Sequence, residues 1–153
     1  AFDALNSLYE HRQDDVISKA FEQFSACFAP DDPRLIYAYL SEINLAMRRK
    51  RFNRERVSAA LDFIKKTRPD DGADALYCRA NGHSALGQTN DAQRLYREAI
   101  QKADGDSPHL AAQCWKNLGT ELEQEGDNPE ARNCYERAIA LAPDLMEAHM
   151  ALA

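Results

Sequence analysis

Any chemistry in this chain would have to come from four cysteines, four histidines and one short basic run. Cys27, Cys78, Cys114 and Cys134 form no C-x-x-C pair, and no Cys/His cluster has zinc-ligand spacing. Each cysteine falls among apolar residues at helical spacing, which predicts small buried thiols in a reducing, cytoplasmic setting rather than disulfides or metal ligands. His11 and His109 lie near turns, while His83 and His149 fall at packing positions of helical stripes. There is no G-x-S-x-G, no Gly-rich phosphate cradle and no H-E-x-x-H. The residues therefore imply a non-catalytic protein with no catalytic residue, no metal and no cofactor.

The sharpest charge feature runs from Arg48 to Arg56, where Arg48, Arg49, Lys50, Arg51, Arg54 and Arg56 make six of nine residues cationic. Its place is a helix end and the following turn, where cations also favour the negative end of the helix dipole. The run reads as a solvated turn or as a docking patch for an acidic protein segment. A phosphate backbone is a third reading, but the chain as a whole carries a formal charge of -6. That field repels nucleic acid and anionic membranes. The longest apolar run, Leu35 to Leu40, is too short to span a bilayer.

Helices must position these groups, and the chain is patterned for them throughout. Ala112 to Pro143 contains Trp115-x2-Leu118-Gly119-x2-Leu122, then Ala131-x3-Tyr135 with Ala138 and Ile139, then Pro143. The spacings make two apolar stripes on two helices, broken at Gly126-Asp127-Asn128-Pro129. Gly119 and Ala131 are small where the two helices would cross, letting Trp115 and Tyr135 enter one core. This pattern resembles one tetratricopeptide repeat, a unit that cannot bury its apolar faces alone and so implies neighbours.

The neighbours are visible. Asp91 to Ile100 aligns with Glu130 to Ile139, and Gly87 with Gly126, at an offset of 39 residues. The usual period is about 34, and the extra residues sit around Gly105-Asp106-Ser107-Pro108-His109. Leu76 and Ala80 take the places of Trp115 and Gly119. Upstream, Val57, Leu61, Ile64 and Pro69 repeat the spacing of Ala131, Tyr135, Ala138 and Pro143. Helices are expected from Arg34 to about Lys50, burying Ile36, Tyr39, Leu40, Ile43, Ala46 and Met47, and from about Arg54 to Thr67. The first 30 residues read as another helical pair, Phe2, Leu5, Leu8 and Tyr9 on one helix and Val16 to Phe28 on the next.

The expected fold is all-α: a right-handed superhelical solenoid of antiparallel helix pairs, about four pairs plus a partial ninth helix. It spans 1–153 as a single domain. Divergent pairs occupy 1–33 and 34–71, repeats 73–106 and 112–145, and a partial repeat 146–153. The exposed ends would allow stacking between copies.

The resemblance implies a scaffold or adaptor whose concave groove, lined by the first helix of each pair, holds a peptide or helix of a partner protein. The groove-facing residues lie opposite the core stripes: Tyr77 and Asn81 in one repeat, Gln113, Lys116, Asn117 and Thr120 in the next. Asparagine amides can both donate to and accept from a peptide backbone. Asn81 and Asn117 match the asparagine pair of the family's carboxylate clamp, but Tyr77, Glu147 and Ala151 stand where the clamp has cations. A chaperone-type acidic tail is therefore not the expected ligand. The alternatives are a self-associating or spacing segment of a larger protein, and nucleic-acid binding through 48–56.

Overall fold

The computed structural model describes residues 14–30, 32–48, 52–68, 72–103 and 105–152. The expected helix of Phe2, Leu5, Leu8 and Tyr9 lies outside them. Among the described residues there are eight α-helices and one 3₁₀ turn, with no strand. The chain divides into two compact units, Ala1–Pro69 and Asp70–Ala153.

In the first unit, α1 spans Asp14–Ala26, a 3₁₀ turn Pro33–Leu35, α2 Ile36–Arg48 and α3 Arg54–Thr67. The helix expected from Arg34 thus begins with a tighter turn. Asp32 closes it, accepting from the Arg34 backbone N–H at 2.9 Å and from the Arg34 guanidinium at 2.6 Å. Those bonds hold the Asp32 carboxyl down at about 2. Asn53 caps α3 through its side-chain oxygen, which takes the Arg56 N–H at 2.9 Å. Tyr39 ties the three helices together, its ring 5.6 Å from Phe21 and 4.8 Å from Phe63.

Burial in this unit departs from expectation at several points. Val57, Ile43, Ala46 and Ile64 are buried as expected, but so are Leu35, Ala38, Leu45, Ala60 and Phe63. Met47 is 37% exposed. Helix α2 buries residues on both sides of its expected stripe because it packs against more than one neighbour, and Met47 is turned away from them.

In the second unit, α4 spans Ala73–Ala85, α5 Thr89–Ala103, α6 Pro108–Gln124, α7 Asn128–Leu141 and α8 Met146–Leu152. The pairs α4/α5 and α6/α7 turn through Gly87 and Gly126, with φ of 75° and 88°. Each turn is closed by the same two backbone bonds: Gly87 N to Ser84 O and Gln88 N to His83 O, then Gly126 N to Glu123 O and Asp127 N to Leu122 O. That left-handed closure is what a glycine at this position permits without a Cβ penalty. Part of the extra sequence between repeats is helical, since Pro108 opens α6, the longest of the described helices at 17 residues.

One core runs through this unit. Leu76, Ala80, Ala92, Leu95, Tyr96, Ala99, Cys114, Leu118, Leu122, Ala131, Cys134 and Tyr135 pack together, so both copies of the repeat pattern are in a continuous interior. A smaller cluster, Ala112, Ala138, Ala142, Leu145 and Ala148, seats α8. Trp115 touches both clusters and stays half-buried, with the Arg137 guanidinium 4.8 Å over its ring.

Candidate functional site

The first helices of the two pairs, α4 and α6, carry the groove candidates, and polar side chains link them. Asn81 on α4 accepts from the Tyr96 hydroxyl at 2.7 Å and from the Asn117 amide of α6 at 3.0 Å. Both asparagines are buried, 4% and 6% exposed. Tyr77, one turn before Asn81, packs its ring at a tilt against Tyr96, with centroids 6.4 Å apart. Burial raises the Tyr77 hydroxyl above its ordinary pKa, while bonds to Asn81 and Asn117 pull it back. Tyr77, Asn81, Tyr96 and Asn117 therefore form one network. Among the described residues no buried side-chain polar atom lacks a partner.

Around this floor lie the half-buried residues Gln113, Lys116 and Thr120 of α6. Lys116 and Thr120 are one turn apart, the Thr120 hydroxyl donating to the Lys116 carbonyl at 3.2 Å. Tyr135 reaches in from α7, donating to Glu123 Oε2 at 2.9 Å and approaching Thr120 Oγ1 at 3.4 Å. Burial lowers the Lys116 pKa, and the charge of Glu147 on α8 opposes that shift. At the lower end, a pocket of about 230 Å³ is lined by Glu123, Ala131, Arg132, Tyr135, Ala151 and their neighbours.

A second polar junction escapes periodicity. Glu121 is 4% exposed on α6. It accepts from Ser84 of α4 and bonds Thr89 at the start of α5. Beside it, the Gln93 amide of α5 donates to Glu125 at 2.8 Å. The available sequence signal was weak: polar residues one helical turn apart on the rim of an apolar stripe.

The basic run has a different fate at each residue. Arg48 ends α2, while Arg49, Lys50 and Arg51 lie outside the described residues. Arg54 is exposed at the start of α3. Arg56 is turned onto its own unit, 2.5 Å from Glu22, 3.5 Å from the buried Glu42 and 4.8 Å over the Phe21 ring. Its side chain is 17% exposed.

Reactive groups are not assembled among the described residues. Cys114 and Cys134 are buried, and burial pushes their thiols up to about 12 and about 11. Cys78 is half-buried, and Cys27, expected inside, is exposed near the end of α1, its thiol donating to the Gln23 carbonyl at 3.1 Å. The imidazole of His83 meets the Gln88 side chain at 2.6 Å, and exposed His149 meets the Pro143 carbonyl at 2.9 Å. His149 does not repeat the packing of Trp115. No group of three His, Cys, Asp or Glu among the described residues could hold a metal ion, and no helix among them is long and apolar enough to cross a membrane.

Successive helix pairs packed on one continuous core define a helical-repeat fold. Residues 72–144 match the tetratricopeptide-repeat family model, whose members are protein–protein interaction modules. Two crystal structures of MamA share the fold. One is 18% identical with a TM-score of 0.58, covering 90% of this chain and 74% of the other. The second is 17% identical with a TM-score of 0.59, covering 98% and 75%. At this identity the likeness is one of fold, and it extends the helical-repeat architecture well beyond 72–144. Comparison with the curated proteins gives no match.

Proposed function

We propose that the α4–α6–α8 face is a groove that binds a peptide or helix of a partner protein without catalysing a reaction on it. The observation that carries this reading is the division of labour on that face. The Asn81–Asn117–Tyr96 network is buried and rigidly bonded, whereas Gln113, Lys116 and Thr120 stand around it with side-chain surface open to a ligand. A preorganised floor with adaptable polar groups above it suits recognition, because little ordering remains to be done on binding. Tyr77 and the two asparagines shape the floor, and Gln113, Lys116 and Thr120 make the contacts. Arg48, Arg49, Lys50, Arg51 and Arg54 are a second candidate surface, for acidic partners.

The test is affinity capture from cell extract with the wild-type chain, with Lys116→Glu and Thr120→Arg, and with Arg94→Glu, an exposed residue of α5. Groove binding predicts that the first two variants lose the captured proteins while the third keeps them and all three retain the helical circular-dichroism spectrum. Retention by Lys116→Glu and Thr120→Arg alike would remove the groove as the working surface.

A further inference from the structure

Exposed apolar surface in the second unit is concentrated at one end. Met146 and Met150 are 67% and 68% exposed, four residues apart on one side of α8. Leu141, at the end of α7, is 41% exposed. Carboxylates flank these side chains in sequence and are themselves exposed: Asp144 in the turn before α8, and Glu147 within it. The whole unit carries the same sign. Residues 70–153 hold seven Lys and Arg against fifteen Asp and Glu, while residues 1–69 hold twelve against ten.

This combination selects among occupants. The same face from a second copy would bring carboxylate against carboxylate around the methionines, and like charges brought together across an interface repel. An acidic segment meets the same repulsion. A segment with apolar side chains and Lys or Arg beside them buries the thioethers and neutralises the rim. Methionine's flexible, polarizable side chain adapts to such apolar surfaces.

We propose that the α8 end of the groove docks a basic amphipathic segment of another protein, apolar side chains on Met146 and Met150 and cations against Asp144 and Glu147. It rests on the groove reading, since α8 is one of the helices of that proposed face.

The test uses the full chain and two labelled peptides of about fifteen residues, both with leucines at helical spacing, one with lysines elsewhere and one with glutamates. In anisotropy titrations the lysine peptide should bind at least about tenfold more tightly than the glutamate peptide, and less tightly as salt rises. Met150→Lys and Glu147→Lys should each weaken it by about tenfold, while Asp62→Lys on the exposed face of α3 leaves it unchanged. Equal or tighter binding of the glutamate peptide overturns the proposal, as does an affinity indifferent to Met150→Lys and Glu147→Lys. Glutamate-peptide binding that Lys116→Glu abolishes overturns it while leaving the groove reading standing. Binding of neither peptide overturns it, and the capture experiment then judges the groove separately. Concentration-dependent light scattering that Met150→Lys abolishes overturns it in favour of a second copy.

Discussion

Gly119 lies against the ring of Tyr135 so closely that a Cβ there would come 2.7 Å from Cε1 of the ring and 3.1 Å from the Ala131 carbonyl oxygen. This is where α6 and α7 cross, and neither neighbour can yield easily: one is a buried aromatic ring, the other helix backbone. Gly119→Ala therefore overpacks the crossing, and the expected loss is about 1–3 kcal/mol despite alanine's better helix propensity. Urea unfolding followed by Trp115 fluorescence measures it. A variant as stable as wild type would show that the two helices part without cost.

That crossing was legible beforehand because it is set by size and spacing. Gly119, Ala131 and Tyr135 announce a close approach, and Gly87 and Gly126 announce identical turns, since each type answers a local steric demand. Helix α3 appears with its expected bounds because Asn53 caps it and Val57 and Ile64 share one stripe. What periodicity could not show is where a side chain goes when two neighbours compete for it. Arg56 belongs to a basic run in sequence, yet it folds onto Glu22 and Glu42, which come from other helices. Asn81 and Asn117, expected to face a groove, are buried and bonded to each other. Their burial depends on the Tyr96 hydroxyl, 15 residues away from Asn81.

The Asn81 carbonyl takes two buried donors, so its removal orphans both. Asn81→Ala is expected to cost about 2–4 kcal/mol, more than Tyr96→Phe, which removes one bond and costs about 1 kcal/mol. A double-mutant cycle of Tyr96→Phe with Asn117→Ala reads the coupling through the shared oxygen. Strict additivity would mean that the two bonds are independent.

Glu121 should make stability depend on pH in the unusual direction for a carboxylate. Burial raises its pKa, the Ser84 and Thr89 bonds draw it back, and Glu125 raises it further. The folded chain then keeps this proton to higher pH than the unfolded chain. Glu121 accordingly costs stability as pH rises from the unfolded carboxylate range through its folded pKa, and the cost is absent below that window. Glu121→Gln should be more stable than wild type at neutral pH, with the gap closing on acidification. Unfolding midpoints across acid to neutral pH test this; a gap that widens in acid contradicts it.

Arg56 is the partner of a carboxylate, Glu42, that is 2% exposed. Burial raises the Glu42 pKa and the charge of Arg56 lowers it, so the pair keeps the carboxylate tolerable inside. Arg56→Ala is expected to cost about 3 kcal/mol, the lower end for breaking a buried pair because Arg56 retains some solvent. Adding Glu42→Gln should recover part of the loss, whereas exposed Lys65→Ala should stay within about 0.5 kcal/mol of wild type. Loss of binding in Arg56→Ala would therefore report folding before recognition. Equal stability of Arg56→Ala and Lys65→Ala would place Arg56 in solvent.

The thiols give an independent reading of the same packing. Cys27 is exposed, Cys78 half-buried, and Cys114 and Cys134 buried with their thiols raised to about 12 and about 11. Only thiolate reacts with an aromatic disulfide reagent, so at neutral pH in native buffer Cys27 should label first and Cys78 more slowly. Cys114 and Cys134 should label only as fast as the second unit opens, because both access and ionisation require it. Mass spectrometry of timed samples assigns each site. Gly119→Ala should then speed labelling of Cys114 and Cys134 while leaving Cys27, in the first unit, at its wild-type rate. If Cys134 labelled as fast as Cys27 in the wild type, the α6/α7 core would be opening far more often than its packing implies.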